Sequence, residues 1–282
     1  MTRPFSSKPA PRETRAKHTP RKQFGQHFLS DRNILQKMVR AAELHPGDTV
    51  LEIGPGLGDL TRALNEAGAR VVAVEIDRDL HARLQTEFEN TSVTVLQGDI
   101  LKQTPDAWLA QAHCAPPYLV TANLPYYITS AILRYLLEAE TPPTRIVVMV
   151  QREVAQQIVA RPPHGNLLGV SVQFFGAPRI VDIVPAGAFH PPPKVDSAIV
   201  RIDVNTDASR IAPKIFFQVV RAGFSAKRKQ LHNALANGLG LTRAQTELLL
   251  HRAGIAPMRR AETLTQTEWV ALARVYQDFT VR

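Results

Sequence analysis

Val50-Leu51-Glu52-Ile53-Gly54-Pro55-Gly56-Leu57-Gly58 decides how this 282-residue chain is read. An apolar run with the character of a buried strand enters three alternating glycines, and a helical pattern follows from Asp59. Glycines at such a turn let the backbone bend sharply and approach a ligand without Cβ clashes, so the stretch predicts a cofactor loop. The dinucleotide fingerprint G-x-G-x-x-G needs its third glycine at position 59, but Asp59 stands there and the third glycine is Gly58. Carboxylates at Glu52 and Asp59 would repel a pyrophosphate seated at the helix start, whereas a ligand with an ammonium group tolerates them.

Around this loop, short apolar strands alternate with amphipathic helices, the pattern of a parallel sheet covered on both faces. The periodicity predicts strands over 50–53, 71–76, 93–96, 118–122, 146–150, 169–175 and 197–204, and helices near 60–67, 80–88, 130–139 and 153–160. Before the loop, the lead-in 23–29 precedes a helix capped by Ser30 or Asp31, with an apolar stripe of Ile34, Leu35, Met38, Val39 and Ala42. After Asp207 no strand pattern follows. Helical stripes fall near 215–222, 229–236 and 245–252, and Thr265-Gln266-Thr267-Glu268 reads as the capping box of a last helix. The expected organisation is an α/β doubly wound domain over 23–206 and a small all-α domain over 207–282.

A net charge of +9 and a pI near 10.0 point to a polyanionic partner. The single cysteine, Cys114, excludes an intramolecular disulfide and any thiolate zinc site made by this chain alone, as suits a reducing cytoplasm. No apolar run reaches the length of a membrane span, and the start of the chain lacks the apolar centre of a secretory signal. Residues 1–22 carry Arg3, Lys8, Arg12, Arg15, Lys17, Arg21 and Lys22 against Glu13, with four prolines interspersed. A disordered basic arm is expected there, and the prolines oppose the amphipathic helix of a mitochondrial presequence.

Candidate site residues follow at the strand ends, where ligands of such sheets lie. Glu75 ends the second strand, placed to accept hydrogen bonds from ribose hydroxyls, and Asp99 ends the third, placed to accept from an adenine amino group. Asp77 and Asp79 read as helix-start charges. The fourth strand ends in Asn123-Leu124-Pro125-Tyr126-Tyr127. An exocyclic amine on a base is a poor nucleophile because its lone pair is delocalised into the ring. The Asn123 oxygen and the Leu124 carbonyl suit its two N–H groups and favour a more tetrahedral nitrogen, while Tyr126 offers a face to an unstacked base. Phe189-His190-Pro191-Pro192-Pro193-Lys194-Val195-Asp196-Ser197 is a stiff connector between two strands; by itself it favours a packed Phe189, and the functional reading sets that ring on the opposite side of the base. Arg221, Lys227, Arg228, Lys229, Arg252, Arg259 and Arg260 gather in the helical region, as a clamp on a folded RNA backbone requires.

The E-x-G-x-G-x-G loop is similar to the S-adenosylmethionine loop of Rossmann-like methyltransferases. With it, Gly25-Gln26-His27-Phe28-Leu29, Glu75-Ile76-Asp77, Gly98-Asp99, Asn123-Leu124-Pro125-Tyr126, Gln151-Arg152-Glu153-Val154-Ala155, residues 189–197 and Arg228-Lys229-Gln230-Leu231 stand in a characteristic order. From Lys22 onward the chain resembles the KsgA-type small-subunit ribosomal RNA adenine dimethyltransferases, relatives of the Erm macrolide-resistance methylases. The resemblance implies a class I S-adenosylmethionine-dependent fold. It implies Gln26, His27, Leu29 and Gly54 against the methionine part of S-adenosyl-L-methionine, Glu52, Gly56 and Asn123 as further cofactor contacts, Glu75 on the ribose, Asp99 on the adenine, and Asn123, Leu124, Tyr126 and Phe189 about the target. The implied reaction dimethylates N6 of two adjacent adenosines in the 3′-terminal hairpin of small-subunit rRNA, without a metal. The implied enzyme is a cytoplasmic monomer acting on an immature 30S particle and contacting RNA through Arg221, Lys227, Arg228 and Lys229.

Two residues depart from the family pattern: His27 stands where many members have Asn, and Leu168 where a tyrosine is common. Three alternatives differ in class. A non-catalytic nucleic-acid-binding relative is opposed by the intact Asn123-Leu124-Pro125-Tyr126 and Glu75. A nicotinamide dehydrogenase is opposed by the glycine spacing, and an Erm-like enzyme of large-subunit rRNA would share the same pocket motifs.

Overall fold

The computed structural model describes residues 21, 26–205, 211–226 and 228–280. The basic arm expected over 1–22 lies outside the described residues except for Arg21, and so does Lys227.

In chain order the elements are β1 (Phe28–Leu29), α1 (Arg32–Ala42), β2 (Thr49–Ile53), α2 (Asp59–Glu66), β3 (Arg70–Glu75), α3 (Arg78–Glu87), β4 (Val93–Gln97), α4 (Pro105–Gln111), β5 (Leu119–Asn123), α5 (Thr129–Leu137), β6 (Arg145–Gln151), α6 (Arg152–Val159), α7 (Leu167–Phe175), β7 (Gly176–Val184), β8 (Phe189–His190) and β9 (Ser197–Val204). Four helices close the chain: α8 (Pro213–Phe224), α9 (Leu231–Leu239), α10 (Arg243–Arg252) and α11 (Gln266–Thr280). Seven strands form one sheet in the order β4-β3-β2-β5-β6-β9-β7. The pairs from β4 through β6 are parallel, and β9 runs antiparallel to both of its neighbours.

Alternation along the strands buries both faces. Leu51 and Ile53 of β2 join Val72 and Val74 of β3 in one cluster, while Val50, Val71 and Ala73 join the buried stripe of α1 and Leu60 and Leu64 of α2 in the other. Asp31 is the cap that α1 uses, its carboxylate accepting from the backbone of Asn33 and Ile34 at 2.8 and 3.4 Å. The last helix opens as its sequence requires: Glu268 N–H donates to Thr265 Oγ1 at 3.2 Å, and Thr265 N–H to Glu268 Oε2 at 2.7 Å.

One expected element is a different one. Residues 169–175 are not a strand; they belong to α7, whose N-terminus is capped by Asn166 Oδ1 accepting from Gly169 N–H at 2.9 Å. The helix carries apolar residues on opposite sides because both sides are covered. Val172 faces the sheet cluster, whereas Val170 and Phe174 enter a third cluster with the C-terminal helices, where the Phe174 and Phe216 rings stack at 3.9 Å. A helix buried on two sides loses its stripe and imitates a strand. The strand is β7 instead, an edge strand that tolerates Pro178 and breaks register between Ile180 and Asp182. Among the described residues no helix is long and apolar enough to cross a membrane.

Candidate active site

In the sheet order the chain leaves β2 toward β3 and β4 on one side, and β5 and β6 lie on the other. The crevice beyond the carboxyl ends of β2 and β5 is therefore the topological switch point, where open α/β sheets hold ligands. A cleft opens there, walled by the glycine loop, Glu52 and Glu75, by Gln26 to Leu29, and by Asn123 to Tyr126.

The loop is shaped for close approach. Gly54, Gly56 and Gly58 have φ of 67°, 59° and 79°. A Cβ on Gly54 would meet nothing within 4 Å, so its open side is the cleft, whereas one on Gly56 would meet the Phe28 ring at 3.1 Å. Glu75 is fixed by the backbone around it: Oε2 accepts from Gly56 N–H at 3.0 Å and Oε1 from Asp77 N–H at 2.9 Å. Each oxygen keeps a lone pair for a further donor. Burial raises the Glu75 pKa, and these backbone donors offset part of the rise.

Glu52 is more deeply placed. It lies opposite Thr121 of β5 and is 1 % exposed, and its Oε2 has no hydrogen-bond partner among the described residues. Burial pushes its pKa up to about 8; the Thr61 hydroxyl opposes the rise and the nearby Glu75 adds to it. A buried carboxyl without a partner, beside an open glycine cradle, suits a ligand that brings a cation. Asp59 does not share this role, because its carboxylate pairs with Arg62 at 2.8 Å.

At the end of β5, the Asn123 amide donates to the His27 carbonyl at 2.9 Å, which orients the side chain and leaves Oδ1 as the acceptor. Leu124 buries its side chain, exposed 2 %, and its N–H donates to Met149 O at 3.2 Å. Pro125 then leads into a 3-10 turn, Tyr126–Ile128, that lifts Tyr126 into the cleft wall. Burial raises the Tyr126 pKa, so the phenol stays protonated near neutrality.

The lead-in is threaded into this site by a two-residue antiparallel ladder, Phe28 opposite His190 and Leu29 opposite Phe189. Arg21 also reaches the cleft side of β3: its backbone N–H donates to Gln26 Oε1 at 2.8 Å, and its guanidinium pairs with Asp77 at 3.2 Å. Asp77 and Asp79 lie at the start of α3, Asp77 as the cap, as their positions predict.

Several candidate residues are placed elsewhere. Phe189 is 4 % exposed and packs in the cluster with Leu29 and Leu35 rather than facing a base across the cleft. Pairing β8 with β1 turns that ring inward. Asp99 sits past the tip of β4, outside the cleft wall, and caps the turn Ile100–Lys102 by accepting from Leu101 N–H at 3.0 Å. Leu168 packs against the sheet cluster. In the helical region Arg221, Arg228 and Lys229 are exposed, with no ion-pair partner among the described residues. Arg259 is committed to Glu268 and Arg260 to Glu262, so the basic group is smaller than the sequence count. Sequence reasoning assigned no role to Phe28, Ile76, Leu101 and Ser197. Phe28 and Ile76 line the cleft, and Ile76 and Leu101, 43 % and 37 % exposed, present aliphatic side chains from the loops after β3 and β4. Their position beside the strand-end acids was the available signal.

Comparison with known proteins gives a consistent result. The family model described as ribosomal RNA adenine dimethylase matches residues 17–278. The chain is 48 % identical over 261 residues to the ribosomal RNA small subunit methyltransferase A of Dehalococcoides mccartyi strain 195, covering 92 % of this chain and 89 % of that one. It is 42 % identical to the protein of the same name from Moorella thermoacetica, covering 92 % and 93 %. Among solved structures, a dimethyladenosine transferase from Plasmodium falciparum superposes with a TM-score of 0.75 at 25 % identity, covering 89 % of this chain and 98 % of that one. The 23S rRNA methyltransferase ErmE does so with a TM-score of 0.70 at 28 % identity, covering 89 % and 99 %.

Proposed function

The chain belongs to the ribosomal RNA adenine dimethylase family, and from that premise we infer that it uses S-adenosylmethionine to dimethylate N6 of two adjacent adenosines in the 3′-terminal hairpin loop of 16S rRNA. The reading rests on one cleft that joins the glycine cradle, Glu75 and the Asn123-Leu124-Pro125-Tyr126 turn. The small-subunit names of relatives at 48 % and 42 % identity favour 16S over 23S rRNA.

The residues fit such a donor. Glu52, buried with its Oε2 unpartnered, holds the ammonium group; the open face of Gly54 admits the methionine backbone; Glu75 takes both ribose hydroxyls; and Ile76 and Leu101 supply apolar faces for an adenine that extends past the cleft wall to Asp99 at the tip of β4. Gln26, His27 and Leu29 close the methionine side together with Gly56. When bound, S-adenosylmethionine supplies a sulfonium methyl group open to direct in-line attack.

This chain's part is then positioning. Asn123 Oδ1 and the Leu124 carbonyl accept the two N–H bonds of the target amine, which draws its nitrogen toward a tetrahedral geometry and exposes the lone pair. Each transfer would form one N–C bond as the donor's S–CH3 bond breaks, the neutral thioether leaving as S-adenosylhomocysteine, and the nitrogen would give up one proton to water. After the first, one N–H remains to be held, and the cleft readmits the monomethyl amine. Stacking on Tyr126 returns about 1–3 kcal/mol of the few kcal/mol spent in unstacking the base. Residues 23–206 carry this chemistry, and residues 207–282 bind the RNA backbone through Arg221, Arg228 and Lys229, with Lys227 beside them in sequence. A monomer in the cytoplasm, acting on a partly assembled 30S particle, completes the reading.

The test is transfer from labelled S-adenosylmethionine to unmethylated 30S subunits and to 23S rRNA, with primer-extension stops mapped on both. Label and two adjacent stops near the 3′ end of 16S rRNA are expected. Stops on 23S rRNA alone would make the enzyme Erm-like, and no label in either RNA would end the methyltransferase reading.

A further inference from the structure

Tyr126 is the ring on which the target base stacks, and a ring free to swivel is a poor platform. Here it is held at two points. Its hydroxyl lies 2.6 Å from Ser197 Oγ, and the imidazole of His27 lies offset alongside the ring, with centroids 5.8 Å apart and planes inclined by 20°.

Both holding groups are themselves fixed. Ser197 is fully buried as the first residue of β9, in register with Gln151 of β6 and Val184 of β7, so three strands set the place of its hydroxyl. The His27 Nδ1–H donates to Pro191 O at 2.7 Å, and the His27 carbonyl receives the Asn123 amide. The chain that supplies the amine acceptor thus also backs the aromatic ring. With the imidazole alongside and its far edge pinned, Tyr126 is held in one orientation toward a purine.

We infer that Ser197 is a positioning residue for the reaction: through the Tyr126 hydroxyl it fixes the plane on which the unstacked adenine lands, with His27 as the backing ring. Ser197 touches neither base nor cofactor, and its effect passes entirely through the phenol. The inference rests on the methyl-transfer reading above. A small rotation of the platform misaligns the amine with the donor carbon, and in-line transfer is steeply sensitive to such error.

The test compares wild type, Ser197→Ala, Tyr126→Phe and the double variant under single-turnover conditions on unmethylated 30S subunits with labelled S-adenosylmethionine. Each single variant should lower the saturating rate about tenfold, the size expected of one oriented hydrogen bond. The apparent affinity for the subunit and the affinity for S-adenosylhomocysteine should stay within twofold of wild type. The double variant should be no slower than either single one, because both remove the same contact. A wild-type rate in either single variant, or multiplied losses in the double, overturns the assignment. So does a loss expressed only as weaker cofactor binding. Should Ser197→Ala fail to fold, Tyr126→Phe decides alone, since it deletes only the hydroxyl of a partly exposed residue. Wild-type protein that labels no RNA marks failure of the functional reading, and the inference falls with it; a labelling wild type with an unimpaired Tyr126→Phe marks failure of the inference only.

Discussion

Replacing Glu52 by Gln should make the protein more stable at alkaline pH and worse at holding its cofactor. The carboxyl is buried without a partner for Oε2, and its pKa rises from the ordinary 4.5 to about 8. The folded state therefore binds a proton that the unfolded chain releases above pH 4.5. Stability from this group is complete below that value and is lost as pH climbs toward 8, where folded and unfolded forms are both ionised. At about 1.4 kcal/mol per pH unit, the loss across that window has a ceiling of about 5 kcal/mol, a large share of a typical folding free energy. Glu75, also raised by burial, acts in the same direction in both proteins, so their difference reports position 52 together with its repulsion from Glu75. Urea unfolding at pH 5, 7 and 9 measures it: the advantage of Glu52→Gln should grow with pH, mostly between 5 and 8, and then level off. Calorimetry with S-adenosylhomocysteine supplies the other half. The wild type should release a proton on binding near pH 7, visible as a dependence of the heat on buffer ionisation enthalpy, and Glu52→Gln should bind at least tenfold more weakly with no such release. A stability difference that does not change between pH 5 and 9 would refute the buried neutral acid on which this reasoning stands.

Asn123→Ala should keep cofactor affinity within about threefold while slowing methyl transfer on the order of a hundredfold, as loss of one oriented polar contact at a reacting centre does; full activity would exclude the acceptor role. Gly54→Ala should fold, at about 1–2 kcal/mol of destabilisation for a Cβ at positive φ, because nothing stands within 4 Å of that methyl. Its cofactor affinity should fall far more than its melting temperature. Gly58→Ala, whose Cβ would meet Leu84 Cδ2 at 2.7 Å, should show the reverse ranking. Neutralising Arg228 and Lys229 together should weaken RNA binding and reduce the slope of log affinity against log salt by roughly 1.5–2, and an unchanged slope would place the phosphate contacts elsewhere.

The parts of the site that could be read from the chain are those carried by local backbone chemistry. Three glycines in alternation predict a sharp turn with close backbone approach, and the structure makes it through positive φ at all three. An aspartate before an apolar stripe predicts the cap of α1, and the Thr265–Glu268 spacing the cap of α11. What escaped depends on neighbours distant in sequence. The 169–175 segment shows no helical stripe because the sheet covers one of its sides and the C-terminal helices the other. The proline connector by itself favours a packed Phe189, but not what packs it: the pairing with Leu29, 160 positions earlier, turns the ring into the core. Ser197 stood in the sequence only as the last residue of the 189–197 motif, with no role of its own: a serine opening a strand becomes informative once Tyr126 is brought within 2.6 Å of it.

The contact between His27 and Pro191, 164 positions apart, sets a schedule for biosynthesis. A ribosome that has released only the first half of the chain has made the glycine loop, Glu75 and the turn after β5, yet none of the segment against which the beginning of the chain must settle. Until β8 and β9 emerge from the exit tunnel, Tyr126 lacks the Ser197 hydroxyl and β1 lacks its strand partner. Such late closure through remote pairing is slow to form, and the finished enzyme should acquire ligand protection in one step near the end of translation rather than gradually along it.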